Sequence, residues 1–294
     1  MELTGISIVL LVVLTIALVM GLWIGLALLL VGGVGIALFT NPSVGQVAAT
    51  SIWSHGADWN LTALPMFIWM GEILFRTRLS ENMFNGLGPW LGWLPGRLLH
   101  VNVLGCAIFS AVSGSSTATC ATVSRIALPE LNRRGYPENV TLGSLASAGT
   151  LGILIPPSVI MVVYAVAAEV SIIQLFIAGI LPGVLVAALF SGWIIVWSLA
   201  RPGRIPPDDM GMSFADKLRA TTRLLPVLFL IVAVLGGLFS GVATATEVGT
   251  LGVAGALIVA WLTGTLSWES FTRSAFEAMR TTCMIGLILM GSHV

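Results

Sequence analysis

Two stretches of this sequence gather oxygen donors where a helix has to break. SGSSTAT, running from Ser113 to Thr119, offers the hydroxyls of Ser113, Ser115, Ser116, Thr117 and Thr119, with Gly114 able to take a tight tip. GTLGILIPPS, from Gly149 to Ser158, holds Gly149, Thr150, Gly152, Pro156 and Pro157, and its glycines and prolines cannot share one unbroken helix without freeing backbone carbonyls. Neutral hydroxyls and carbonyls are ligands for a small hard cation such as sodium, and broken helices also present N-termini to an anion. The chemistry both segments point to is ion-coupled transport. For the serine-rich stretch alone, close helix packing through small residues is the competing explanation. A second interrupted segment in matched context favours the ion site.

The elements that must position these residues are membrane helices. The 294 residues are 57% hydrophobic and 9% charged, with a mean hydropathy of +1.01, whereas a soluble domain carries roughly a quarter charged residues. Thirteen Lys and Arg balance thirteen Asp and Glu, so no basic surface for nucleic acid and no acidic tail is present. Cys106, Cys120 and Cys283 lie in apolar runs and read as small core residues, neither a disulfide framework nor a metal motif. No basic residue or small-residue cleavage pattern marks the start, so the first helix is expected to stay in the membrane.

Residues 6 to 38 form one uncharged run of 33, about 50 Å as helix, which must tilt strongly or break. A polar loop is expected around 41 to 60, then a helix from about Leu61 to Phe75 begun or kinked at Pro65. Trp90 and Trp93 beside Pro89 and Pro95 suggest an interfacial segment. The run from Val101 to Val123 has Arg97 before it and Arg125, Arg133 and Arg134 after it. Because Lys and Arg gather in cytoplasmic loops, both ends are expected on one side, making a re-entrant hairpin with arms of about ten residues. Val140 to Ala168 is expected to unwind near its centre, Ser171 to Ala200 to span, and the polar loop from Arg201 to Arg223 to be cytoplasmic. Two spans follow near 224 to 240 and 248 to 263, then a polar WESFTRSAFEAMR stretch and a last apolar run.

An offset of 220 aligns Gly21 with Gly241, Gly32 with Gly252, Gly35 with Gly255, Thr62 with Thr282, Ile68 with Ile288, Met70 with Met290 and Gly71 with Gly291. The repeat predicts a break of the first run near Gly21. Residues 41 to 60 hold no Lys or Arg whereas 261 to 280 hold Arg273 and Arg280, so the copies are expected in opposite orientation, as in inverted-repeat transporters. A full second copy would need about 440 residues, so the chain carries one half of a site built at the repeat interface.

Other candidates are weaker. Thr244 and Glu247 have capping-box spacing, with a proton relay as the alternative role for Glu247, and Glu72 with Arg76 reads as an interfacial pair. His55, His100 and His293 have no ligand neighbours at helical spacing. A serine hydrolase using Ser115 and His100 lacks an orienting acid, and a channel remains a rival to a carrier.

At SGSSTATCATVSRIALPELNRRGYP, GTLGILIPPSVIMVVYAV and SIIQLFIAGILPG, the chain resembles the large membrane subunit of tripartite ATP-independent periplasmic (TRAP) transporters. LPMFIWMGE and GVATATE also resemble the family, which usually has TPTE where this chain has Ala245. The resemblance implies an all-α polytopic membrane protein, an elevator-type carrier with a re-entrant hairpin and discontinuous helices, and no enzyme. It divides the chain into scaffold helices and an interfacial segment (1–96), a transport part (97–170) with a hairpin at about 101–124 and a broken helix at about 140–168, a span and cytoplasmic loop (171–223), and an incomplete second repeat (224–294). It places sodium, the co-transported ion, at Ser113, Gly114, Ser115, Gly152 and Pro156, with Ser116, Thr117, Gly149, Thr150 and Pro157 completing the ion and substrate site. Implied partners are a small four-helix membrane subunit, a periplasmic solute-binding protein, a carboxylate solute such as a C4-dicarboxylate or sialic acid, and the bacterial inner membrane. The family's second hairpin and second proline pair are expected beyond Val294.

Overall fold

A computed structural model describes residues 3–39, 43–77, 79–206, 213–222 and 224–294. Among them are fifteen α-helices and two short 3-10 turns, with no strand. The chain divides into two units, 1–62 with 279–294, and 63–278.

The first unit holds α1 (Leu3–Val19), α2 (Ile24–Phe39), α3 (Val44–Gly56) and a 3-10 turn at Trp59–Thr62. The long uncharged run breaks where the repeat predicts. Gly21 sits at φ +79°, a left-handed conformation that glycine takes without Cβ strain, and Leu22 N–H donates to the Ala17 carbonyl at 3.1 Å. Residues 279–294 pack against α2 at close range, since a Cβ on Gly25 would lie 2.8 Å from the Leu287 carbonyl oxygen. The expected polar loop at 41 to 60 is largely the helix α3: Val44, Val47, Ala48 and Ile52 recur at helical spacing, and that pattern outweighs the polar residues between them. Asn41 lies outside the described residues.

The second unit starts with α4 (Ala63–Phe75), α5 (Leu79–Leu91), α6 (Leu99–Ser113) and α7 (Ser116–Arg133). It continues through α8 (Glu138–Gly149), α9 (Leu151–Leu154), α10 (Val159–Ala167) and α11 (Ile172–Ala200). Last come α12 (Phe214–Thr222), α13 (Leu225–Phe239), α14 (Ala245–Leu262) and α15 (Trp268–Ser292), whose final part belongs to the first unit. Leu64, Phe67, Met70 and Leu74 on α4 are buried, and α4 lies along α14, where Gly249 and Gly252 make room for Met66 and Met70. Phe67 meets Phe176 of α11 edge-on, with centroids 6.1 Å apart.

α13 and α14 are parted at Gly241, which takes φ +69°, 220 residues after Gly21. Shifted by 220, α1 and α2 fall on 223–239 and 244–259, within two or three residues of α13 and α14. α14 begins with a capping box: the Thr244 N–H and hydroxyl donate to the Glu247 carboxylate at 2.8 and 2.9 Å, and Glu247 N–H donates to Thr244 Oγ1 at 3.3 Å. The copies then diverge. Where the first has α3, a turn and α4, the second has α15, so the polar stretch at 268 and the final apolar run are one helix of 25 residues. Phe271, Ser274 and Ala278 share one face of it, which holds the polar part in helix.

Two other expected connections are also helical. The interfacial segment after Arg76 contains α5, and the polar loop from Arg201 to Arg223 contains α12. They support each other, Trp90 Nε1–H donating to Thr221 Oγ1 at 2.8 Å. α11 and α14 are long and apolar enough to cross a membrane, and α8–α9 with α10 qualifies as a single span bent by 41°.

Candidate functional site

The serine-rich stretch forms the tip of a helical hairpin. α6 ends at Ser113, Gly114 turns the chain at φ +59°, and Ser115 caps α7, its hydroxyl accepting from Ala118 N–H at 3.4 Å. The arms are 15 and 18 residues, about 22 and 27 Å, rather than the ten or so expected. The helical pattern continues past the charged residues Arg125 and Glu130, and their charge had marked the end of the run too early. At the base, Leu98 N–H donates to the Tyr136 hydroxyl at 3.4 Å, which ties the start of α6 to the loop after α7 and puts Arg97 and Arg133 at one end of the hairpin.

The second stretch breaks as expected. α8 ends at Gly149, α9 is one short turn, and Ile155 to Ser158, with a cis Pro156–Pro157 peptide, separates it from α10. This break meets the hairpin tip directly. Val159 N–H, the first of α10, donates to the Gly114 carbonyl at 3.1 Å. A Cβ on Gly114 would stand 2.8 Å from the Pro157 carbonyl oxygen, and one on Gly152 would stand 2.8 Å from Ser116 N. Gly149 abuts Cys120 of α7 in the same way. The glycines of both motifs thus let two backbones touch, and a side chain at any of these positions would part them.

Within the tip, Ser113 and Thr119 share a hydroxyl–hydroxyl hydrogen bond of 2.8 Å, and Ser115 and Thr117 share one of 3.1 Å. The Ser116 and Ser158 hydroxyls are buried without a hydrogen-bond partner in the protein. A buried hydroxyl left unpaired is costly; those of Ser110, Thr122, Thr141 and Ser198 are in the same condition, and Ser116 and Ser158 are the two that belong to the two interrupted motifs. The oxygens here are neutral hydroxyls and backbone carbonyls, ligands suited to a hard cation, with the Cys120 thiol beside Gly149 a sulfur nearby.

Contacts join Gly114, Ser115 and Ser116 of the tip to Gly152 and Pro157 of the break, Gly149 meets Cys120, and Ser113 and Pro156 are their neighbours in the chain. Thr117 and Thr150 differ: Thr117 is exposed on the first turn of α7, and Thr150, also exposed, donates its hydroxyl back to the Ser147 carbonyl at 2.7 Å. Three contributors were not singled out from sequence. Ser158 follows the proline pair and is fully buried; Val159 supplies the N–H that joins the two halves; Gly71 of α4 admits Ser113 so closely that a Cβ would lie 2.8 Å from its Cα. The Ser158 hydroxyl was legible as the last letter of the motif, whereas the other two depend on tertiary contact.

Away from the site, Glu72 and Arg76 pair at 3.5 Å as their spacing suggests. His100 shares a hydrogen bond of 2.8 Å with the Pro95 carbonyl at the hairpin base, far along α6 from Ser115 at the tip. Among the described residues, no group of three or more His, Cys, Asp or Glu is placed to hold a metal ion.

Residues 10–294 match the family model described as the tripartite ATP-independent periplasmic transporter, DctM component. The chain is 33% identical over 259 residues to the C4-dicarboxylate TRAP transporter large permease protein DctM of Pseudomonas aeruginosa, covering 88% of this chain and 60% of the relative. It is 32% identical over 208 residues to the protein of the same name from Vibrio cholerae, covering 71% and 45%. With the 2,3-diketo-L-gulonate TRAP transporter large permease protein YiaN of Escherichia coli it shares 30% identity over 282 residues, covering 93% and 64%. The chain therefore spans about half to two thirds of the length of these relatives.

Proposed function

The chain belongs to the DctM component family of tripartite ATP-independent periplasmic transporters, and from that premise we propose that it is the ion-binding half of a sodium-coupled carrier for a small organic acid. The observation that carries this reading is the meeting of the Gly114 tip with the Pro156–Pro157 break around two buried, unpaired hydroxyls, Ser116 and Ser158. Relatives of this chain are transporter permeases, not enzymes, and its helices are those of a membrane protein.

In this reading sodium is held by tip and break oxygens of Ser113, Gly114, Ser115, Gly152 and Pro156, with the unpaired hydroxyls of Ser116 and Ser158 as further candidates. Each oxygen replaces part of the ion's hydration shell, and the two broken helices present their ends at one depth. Ion binding closes the tip onto the break and so orders the surface on which the carboxylate docks; coupling follows because solute affinity depends on that order. We assign residues 97–170 to the moving part of an elevator and 1–96, with the span from 171, to its scaffold, the hairpin entering and leaving the bacterial inner membrane on its cytoplasmic side. Relatives named for C4-dicarboxylates and 2,3-diketo-L-gulonate support a carboxylate as the solute class, while one named for isethionate, a sulfonate, supports an organic acid more broadly. A small membrane subunit and a periplasmic binding protein complete the transporter.

The test is uptake by the full transporter in proteoliposomes under sodium and potassium gradients. Saturable uptake driven by sodium alone, with half-saturation raised in Ser116→Ala, is the expected result. Uptake that is unsaturable or indifferent to the cation would replace the carrier by a channel or another coupling ion.

A further inference from the structure

One end of the second unit combines three features that the transport site does not use. The first is the face of α12. Phe214 and Leu218, one helical turn apart, are 69% and 53% exposed, even though Thr221 on the same face bonds Trp90 of α5 and Phe214 touches that ring with one edge. The second is charge: residues 201 to 223 carry Arg201, Arg204, Lys217, Arg219 and Arg223 against Asp208, Asp209 and Asp216. The third is tryptophan. Trp93 is 80% exposed, Trp90 packs edge-on against Phe214 at 5.8 Å, and Arg201 lies 5.6 Å over the Trp197 ring.

Contacts bring these features to one level. Arg97 donates to the Pro206 carbonyl, so the segment after α11 meets the hairpin base, and Trp90 holds α12 to α5 just before that base. Exposed apolar residues beside cations and tryptophans mark a helix lying in the plane of a membrane surface, not one crossing it. Nine residues are too few to span alone, and although α12 and α13 together are long and apolar enough, the pair is bent by 57°, so α12 does not continue the line of α13.

We propose that α12 docks on the lipid headgroups of the bilayer surface and selects anionic phospholipid, with Phe214 and Leu218 dipped toward the acyl chains and Lys217 and Arg219 on the phosphates. The excess of cations over acids in this segment is the complementarity that names the occupant. Because Trp90 links α12 to α5, and α5 leads into the hairpin, lipid charge then acts on the base of the transport hairpin. The inference is independent of the sodium site.

Hydrogen exchange of amides 214–222 in the whole chain tests it, in detergent, in phosphatidylcholine nanodiscs, and in nanodiscs of phosphatidylcholine with phosphatidylglycerol at roughly 2:1. Exchange should slow by roughly fivefold or more in the anionic discs relative to neutral ones, and Lys217→Glu with Arg219→Glu should erase the difference. A graded dependence on phosphatidylglycerol in the wild type gives the same answer should the double variant fail to fold. Equal exchange in the two kinds of disc overturns the proposal. So does equal protection in lipid-free detergent, which would mean that protein covers this face.

Discussion

Gly152→Ala sets two effects of known sign against each other. In a helix, alanine is favoured over glycine by about 0.5–1 kcal/mol, so on local grounds the change stabilises. At Gly152 the added Cβ would lie 2.8 Å from Ser116 N, 2.9 Å from the Ser115 carbonyl carbon and 3.0 Å from Ser116 Cα, all backbone atoms that cannot rotate away. Overpacking of this kind costs about 1–3 kcal/mol, so the net change is a destabilisation of up to about 2.5 kcal/mol, accompanied by separation of tip and break. Gly143→Ala is the matched control. It lies in α8, exposed, and nothing stands within 4 Å of its Cβ, so only the propensity gain of about 0.5–1 kcal/mol remains. Thermal unfolding in detergent, followed by tryptophan fluorescence, should place Gly152→Ala below the wild type and Gly143→Ala at or above it. If the two variants unfold together, the hairpin tip does not rest on Gly152 and the assembled site is wrong.

Further outcomes follow from other contacts. Asn102→Ala removes the 2.8 Å bond from Nδ2 to Ser144 Oγ between α6 and α8, both residues buried, and should cost about 1–3 kcal/mol in the same unfolding assay. Glu247→Gln should retain uptake in the full transporter, because the carboxylate serves the Thr244 capping box; loss of proton- or sodium-driven uptake with folding intact would restore the relay role. Glu130, near the end of α7, is held below its ordinary value of 4.5 by hydrogen bonds from Arg133 and then Arg134, which outweigh its partial burial. Its contribution is therefore present above pH 4.5 and lost as pH falls through the lower folded value, and Glu130→Gln should flatten that acid limb of a stability-against-pH curve.

The breaks at Gly21, Gly114, the proline pair and Gly241 were legible because glycine and proline act locally, through φ and the missing N–H. The repeat was legible for the same reason, its two matched glycines taking the same left-handed turn. Helices α3, α5 and α12 were not read as helices, since their polar residues resemble loop composition unless the spacing of Val44, Val47 and Ile52, or of Phe214 and Leu218, is weighed above it. At the site, residue types announced an oxygen-rich break, yet the bond from Val159 to Gly114 and the fit of Ser113 on Gly71 arise from segments brought together by folding. Thr117 and Thr150 came from the resemblance, and their exposure sets them apart from Ser113, Gly114, Gly152 and Pro156, which are buried.

The central claim is that tip and break hold one sodium ion, and cation-dependent stability tests it most directly. Unfolding temperature of the purified chain is measured against increasing sodium, potassium and choline chloride at constant ionic strength. The account predicts a saturable rise with sodium alone, shifted to higher concentration in both Ser116→Ala and Ser158→Ala. An identical rise with potassium, or a sodium response unchanged in both variants, would contradict it.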